Sequence, residues 1–179
     1  MRKSILCLVI IALFVQIIVS DPQRVLENIF MPGYSTNDLD DLDPTFVKKV
    51  KKIIKIMESK GFEVSVSDTY RSKDRQVFIY RASKLKSKIL RKKSGVTSTT
   101  NSKHNRTVGN KPASCAIDLR PAFTYSIEEK AIFYRTLRDE SVKMGMRSGA
   151  NFEKRKSSPY YKYNLGYDPG HVEISCPQI

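Results

Sequence analysis

The apolar positions of this chain change period along its length, and each change marks an element. Phe46, Val47, Val50, Ile53, Ile54 and Met57 recur at helical spacing, as one buried face of an α-helix requires. Asp43 offers an N-cap and Pro44 suits the first helical position, so a helix is expected from residue 44 until Gly61 ends it. Phe62, Val64 and Val66 then alternate with Glu63, Ser65 and Ser67, the period of a half-buried strand that runs into residues 68–72. A second helix is expected over 73–90, with Val77, Tyr80, Leu85 and Ile89 along one side. Residues 91–112 lose periodicity, gather Ser, Thr, Asn, Lys and Gly, and read as a loop. A strand follows over 113–119. Ser126, Ile127, Glu128 and Glu129 make a capping-box pattern opening a third helix over 126–144, with Ile132, Phe133, Leu137 and Val142 near one face. Short extended pieces around 146–152 and 171–175, joined by a Tyr-rich loop, complete an α+β order.

The N-terminus carries a different pattern. Arg2 and Lys3 precede an apolar run over 5–15 that continues to Val19, which predicts a secretory signal over 1–20 with cleavage after Ser20. The run is short for a membrane span and lacks a stop-transfer flank, so no stable membrane insertion is expected after cleavage. Residues 21–43 are acidic, contain Pro22, Pro32 and Gly33, and suggest an extended segment laid on the surface of a domain over 44–179.

Composition adds bounds. The 179 residues suit one domain, and 40% apolar with 28% charged residues excludes a disordered tail or a repeat array. Lys and Arg number 32 against 18 Asp and Glu, a net charge of +14, which becomes +12 once residues 1–20, with their two basic residues, are removed. Such a balance favours an anionic partner without choosing one. The basic clusters at 48–55, 84–93 and 154–156 read as solvated faces, and no nucleic-acid motif accompanies them, so no nucleic acid is expected. Export to an oxidising compartment leaves Cys115 and Cys176 in the mature chain. They can pair with each other, or each can pack as a small apolar side chain.

The chain holds only two histidines. His104 lies in the loop before the strand that carries Asp118, and His171 opens the final strand. Two imidazoles and a carboxylate make a three-ligand set suited to catalytic zinc, although such a set also arises by chance.

The order of short motifs around these residues resembles a family. Tyr70, Arg71 and Ser72 follow a strand, with Gln76 one helical turn on. Ser102, Lys103 and His104 come next, then Ser114, Cys115, Ala116, Ile117 and Asp118, and finally Asp168, Pro169, Gly170, His171, Val172 and Glu173. Over residues 45–176 this pattern is similar to the VanY-like zinc peptidases, the D-alanyl-D-alanine carboxypeptidase and L-alanyl-D-glutamate endopeptidase family, whose fold is similar to the Hedgehog signalling domain. The resemblance implies an α+β fold in which helices flank a small, mainly antiparallel sheet. It implies one zinc per chain held by His104, Asp118 and His171, with Asp168 as catalytic base and Glu173 as the alternative base. Arg71 would face the substrate carbonyl, where a fixed cation stabilises an oxyanion, unless it forms an ion pair with Asp68 or Asp74. Ser102 and Gln76 would position substrate or support the framework.

The implied activity is hydrolysis of D-amino-acid-containing peptide bonds in peptidoglycan by a secreted, monomeric enzyme. The alternative is a non-catalytic zinc-containing binding or signalling module of the same fold. The chain departs from the family in three ways. Fourteen positions separate His104 from Asp118, so residues within 105–113 are inserted; Ser114 replaces a glycine; and Trp is absent, with Tyr160, Tyr161, Tyr163 and Tyr167 in its region. Those tyrosines would line the cleft or pack over the sheet end. The sequon Asn105, Arg106, Thr107 would place any glycan beside His104.

Overall fold

The computed structural model describes residues 32–90, 97 and 99–176, excepting the side chains of 86–90. The signal over 1–20, residues 21–31 and the stretch 91–96 lie outside the described residues, as does the Ile89 side chain.

Two helices supply one layer. Helix α1, Pro44–Ser59, begins where the Asp43 carboxylate accepts hydrogen bonds from the Thr45 amide (2.9 Å) and hydroxyl (2.6 Å). It buries Phe46, Val50, Ile53 and Met57. Helix α3, Ile127–Lys143, starts on a reciprocal capping box: Ser126 accepts from the Glu129 amide and Glu129 accepts from the Ser126 amide. The two helices stop in the same way. Gly61 and Gly145 take φ of +82° and +69°, and the amides just beyond them, of Phe62 and Met146, donate to the carbonyls of Met57 and Ser141. That closure needs a left-handed residue, which favours glycine.

The second layer is an antiparallel sheet of β1 (Val64–Asp68), β4 (Ala116–Pro121), β6 (His171–Glu173) and β5 (Arg147–Ser148), in that order. Ile117 and Leu119 of β4 and Val172 of β6 point to the helix layer, where they complete the core with Phe46, Val50, Ile53, Met57, Phe133 and Leu137. The α+β architecture matches the sequence expectation. Cys115, just before β4, and Cys176, just after β6, form a disulfide that joins the neighbouring strands.

Several expectations need correction. On α3, Ile132 and Val142 are about half exposed, and the inward face is Ala131, Phe133, Tyr134, Leu137 and Ser141. Helix α2, Lys73–Leu90, has the expected bounds, but Leu85 is exposed, whereas Arg75, Gln76 and Ser83 are buried. Apolar periodicity misplaces the buried side because part of the surface that α2 meets is polar, the Arg71 side chain included. The region 103–112 is not structureless: a 3-10 turn (Lys103–Asn105) leads into a hairpin of β2 (Thr107–Val108) and β3 (Lys111–Pro112). Strand β4 begins at Ala116 rather than 113, because the amides of Ala113, Ser114 and Cys115 donate instead to the carbonyls of Arg106, Asp41 and Lys103.

The described end of the N-terminal segment is built into the domain. Tyr34 and Thr36 exchange backbone hydrogen bonds with Thr69, Tyr70 and Ser72, and Leu42 and Asp43 are buried. Asp43 also holds Arg106 at 2.9 Å. Burial pushes the Asp43 carboxyl up, but hydrogen bonds from Thr45 and Arg106 outweigh it and hold the group below its ordinary 3.8. Asp43→Ala is therefore expected to cost about 1–3 kcal/mol in urea unfolding, from a lost cap and a stranded partner. Asp43→Asn keeps a cap acceptor and removes the charge. Because the folded pKa is depressed, the stability gap between wild type and Asn should be full above pH 3.8 and close as the pH falls through the folded value.

Candidate metal centre

Strand register builds the site on the sheet face turned away from α1 and α3. Asp118 pairs with His171 across β4 and β6, and with Asp68 across β1 and β4. Cross-strand partners share a face, so the three side chains form a row. Asp68 joins it only because β1 shifts register between Val66 and Asp68. Strict alternation after Val64 and Val66 would turn Asp68 into the core; the irregularity at Ser67 turns it to the open face.

His104 comes to this face from the 3-10 turn. Ser102 caps the turn, its hydroxyl accepting the His104 amide at 3.3 Å. The Arg71 amide donates to the His104 carbonyl at 3.0 Å, and Nδ1 of the His104 ring lies 2.7 Å from the Thr69 carbonyl. That acceptor assigns the proton to Nδ1 and leaves the Nε2 lone pair free. Nε2 lies 3.4 Å from His171 Nδ1 and 3.5 Å from Asp118 Oδ1, and His171 Nδ1 lies 2.9 Å from the same oxygen. Ligands about 2.0–2.1 Å from a tetrahedral zinc stand roughly 3.3 Å apart. The three atoms fit one face of such a tetrahedron, and His104, Asp118 and His171 form a group able to hold a metal ion.

The surroundings hold this set in place. Burial alone would raise the Asp118 carboxyl, but the two histidines hold it well below the carboxylate range. Burial would lower His171, yet its hydrogen bonds to Asp118 and Glu173 bring it up to about 10 in the metal-free protein. Glu173 accepts from His171 Nε2 at 3.1 Å and meets Lys103 and Arg147; burial would raise its carboxyl, but His171 and Lys103 hold it at about 2. Phe152 packs against the His171 ring, with centroids 5.6 Å apart.

Asp168 lies in the turn before β6, where its carbonyl accepts the His171 amide at 3.2 Å. Its carboxylate feels the charges of Asp118, His171, His104 and Arg71, and burial with the Asp118 charge raises it to about 6. Gly149 makes this turn possible: a Cβ there would sit 2.0 Å from the Asp168 carbonyl oxygen and 2.8 Å from His171 Cβ. Gly149→Ala should therefore displace the turn, lower stability by about 1–3 kcal/mol and weaken metal binding, as paired urea-unfolding and zinc titrations would show.

Arg71 is paired. Its guanidinium bonds Asp68, donates to Gln76 Oε1 at 2.7 Å and approaches Asp118 Oδ2 at 3.6 Å. Of the two ion pairs open to it from the sequence, the Asp68 pair forms. Gln76 is fully buried and reaches from Arg71 to Thr97 and Thr99, which makes it a strut behind the cation. Asp68 is the site residue that the motif comparison did not single out; an acidic side chain continuing the Val64, Val66 alternation was the available signal. Its own carboxyl is raised by burial, despite Arg71.

The sequon asparagine is committed to the framework. Asn105 Nδ2 donates to the Arg71 carbonyl at 2.5 Å and its Oδ1 accepts the Ser102 amide at 2.9 Å, so a glycan on that nitrogen would break the turn carrying His104. The tyrosines divide: Tyr160 packs on Tyr134, Tyr163 bonds Glu128, Tyr161 is exposed, and Tyr167 packs on Phe152, which touches His171.

Neither a protein-family model nor a curated protein sequence matches the chain. Among solved structures, the Serratia marcescens L-Ala D-Glu endopeptidase ChiX is similar over 84% of this chain and 95% of its own, at 16% identity and a TM-score of 0.50. The LD-carboxypeptidase LdcB is similar over 74% of this chain and 58% of its own, at 19% identity and 0.49. The vancomycin-resistance D,D-pentapeptidase VanY in complex with Zn(II) is similar over 74% and 71%, at 14% identity and 0.47. The ChiX likeness shows that the chain has the α+β fold implied by its motifs. No helix among the described residues is long and apolar enough to cross a membrane.

Proposed function

We propose that the protein is a secreted, monomeric, zinc-dependent peptidase acting on D-amino-acid-containing bonds of peptidoglycan, as an L-Ala-D-Glu endopeptidase or a D-Ala-D-Ala carboxypeptidase. The observation that carries the proposal is the convergence of His104 Nε2, Asp118 Oδ1 and His171 Nδ1 at 2.9–3.5 Å on the open sheet face. The shared fold with an L-Ala D-Glu endopeptidase supports the substrate class.

A zinc ion held by this set would polarise a scissile carbonyl and acidify a water molecule. The chain's own residues supply the rest. Asp168 accepts the proton from the attacking water and returns it to the departing amine, a role helped by a carboxyl whose pKa is already raised to about 6. Arg71 presents a fixed positive charge beside Asp118, oriented by Asp68 and Gln76, toward charge that develops on the carbonyl oxygen. Ser102 shapes the His104 turn rather than reaching for substrate.

The non-catalytic alternative draws on one observation: the Arg71 guanidinium already has the Asp68 carboxylate as partner, which reduces the charge available to substrate. Metal analysis and product mapping separate the readings. We expect one zinc per chain and defined cleavage of a muropeptide mixture. Stoichiometric zinc without turnover would favour the binding module, and a chain that takes up no zinc would defeat both.

A further inference from the structure

We infer that Glu173 is a positioning residue for both metal-facing histidines, an inference that rests on reading His104, Asp118 and His171 as the zinc site. Each oxygen of its carboxylate has its own task. Oε2 lies 3.1 Å from His171 Nε2, on the side of the ring away from Asp118. Oε1 lies 3.2 Å from Lys103 Nζ and 3.1 Å from Arg147 Nη1.

The first contact selects a tautomer. A buried carboxylate behind the ring keeps a proton on Nε2, so Nδ1, beside His104 Nε2 and Asp118 Oδ1, is the nitrogen that would give up its proton to a metal. The choice is opposite to that at His104, where the Thr69 carbonyl takes Nδ1. Two histidines must therefore present different nitrogens to one point, and each needs its own acceptor to do so.

The second contact reaches the other histidine through the backbone. Lys103 immediately precedes His104, and its ammonium is fixed by Glu173 and by the Ile174 carbonyl at 2.7 Å. Its carbonyl accepts the Cys115 amide at 3.1 Å. Glu173 thus ties the 3-10 turn to β6, so both ligand-bearing segments share one anchor. This geometry also separates Glu173 from the base role: its two oxygens are engaged behind His171, whereas Asp168 feels the charges of both histidines and of Asp118.

Zinc competition against a chromophoric chelator tests the inference on the full mature chain. Glu173→Ala should weaken zinc binding by about 10–100-fold, and Glu173→Gln by less, because the Gln carbonyl still accepts the Nε2 proton. The visible bands of the cobalt-loaded protein should shift in both variants, a change that loss of stability alone would not produce. At saturating zinc, Glu173→Gln should keep turnover within about tenfold of wild type, below the 10²–10⁴-fold typical of a lost base. Wild-type zinc affinity and cobalt bands unchanged in Glu173→Gln, or turnover lost at full zinc occupancy, would overturn it. Should Glu173→Ala not fold, the Gln variant decides by the same readings. A wild-type chain that binds no zinc would instead overturn the metal site, and this inference with it.

Discussion

Replacing Asp168 with Asn is expected to leave zinc bound and to lower kcat/KM on muropeptides by about 10²–10⁴-fold, the span that general-base catalysis commonly supplies. The substitution is nearly isosteric, and Asn is at home in turns. The hydrogen bond from the His171 amide goes to the residue 168 backbone carbonyl, so it survives the change. What disappears is a carboxylate able to hold a proton among Asp118, His171, His104 and Arg71. Metal analysis alongside steady-state kinetics separates this from ligand loss: zinc stoichiometry should stay at the wild-type value while turnover collapses. An Asn variant within tenfold of wild type at full zinc occupancy would remove Asp168 from the mechanism.

How far the sequence could be read depended on whether local pattern or long-range pairing decides a position. Helices α1 and α3 were legible because their signals are local: Asp43 and Pro44 at one start, Ser126 and Glu129 at the other, and Gly61 at the α1 end. Motif order pointed to His104, Asp118 and His171 together, and the structure brings these three into one group. Position on a helix surface was less accessible. Ile132, Val142 and Leu85 fit an apolar face by spacing, yet the side each helix buries depends on what it packs against, and around Gln76 that partner is polar. The β2–β3 hairpin was hidden because two-residue strands have no period to detect. Asp68 left a local sign, an acid on the Val64, Val66 alternation, but the face it takes is set by an irregularity in pairing with β4.

Removing a ligand should act on the metal and spare the fold. His104→Ala and His171→Ala are each expected to weaken zinc binding by about a hundredfold or more, since outer partners of a ligand alone commonly contribute 10–100-fold. The fold should persist because the core of Ile117, Leu119 and Val172 against α1 and α3 lies on the opposite sheet face. The Cys115–Cys176 disulfide also continues to join β4 and β6. The two variants should differ in the metal-free state. His104→Ala strands the Thr69 carbonyl but leaves His171 between Asp118 and Glu173; His171→Ala leaves both carboxylates without their shared cation. His171→Ala should therefore be the less stable of the two without metal. Thermal unfolding with and without zinc reads both effects together, because zinc at a hundred times its Kd adds about 2.7 kcal/mol to a protein that binds it only when folded. Wild type should show that gain, and neither variant should show it at the same zinc concentration. A variant that keeps the full zinc-dependent rise in Tm would exclude its histidine as a ligand.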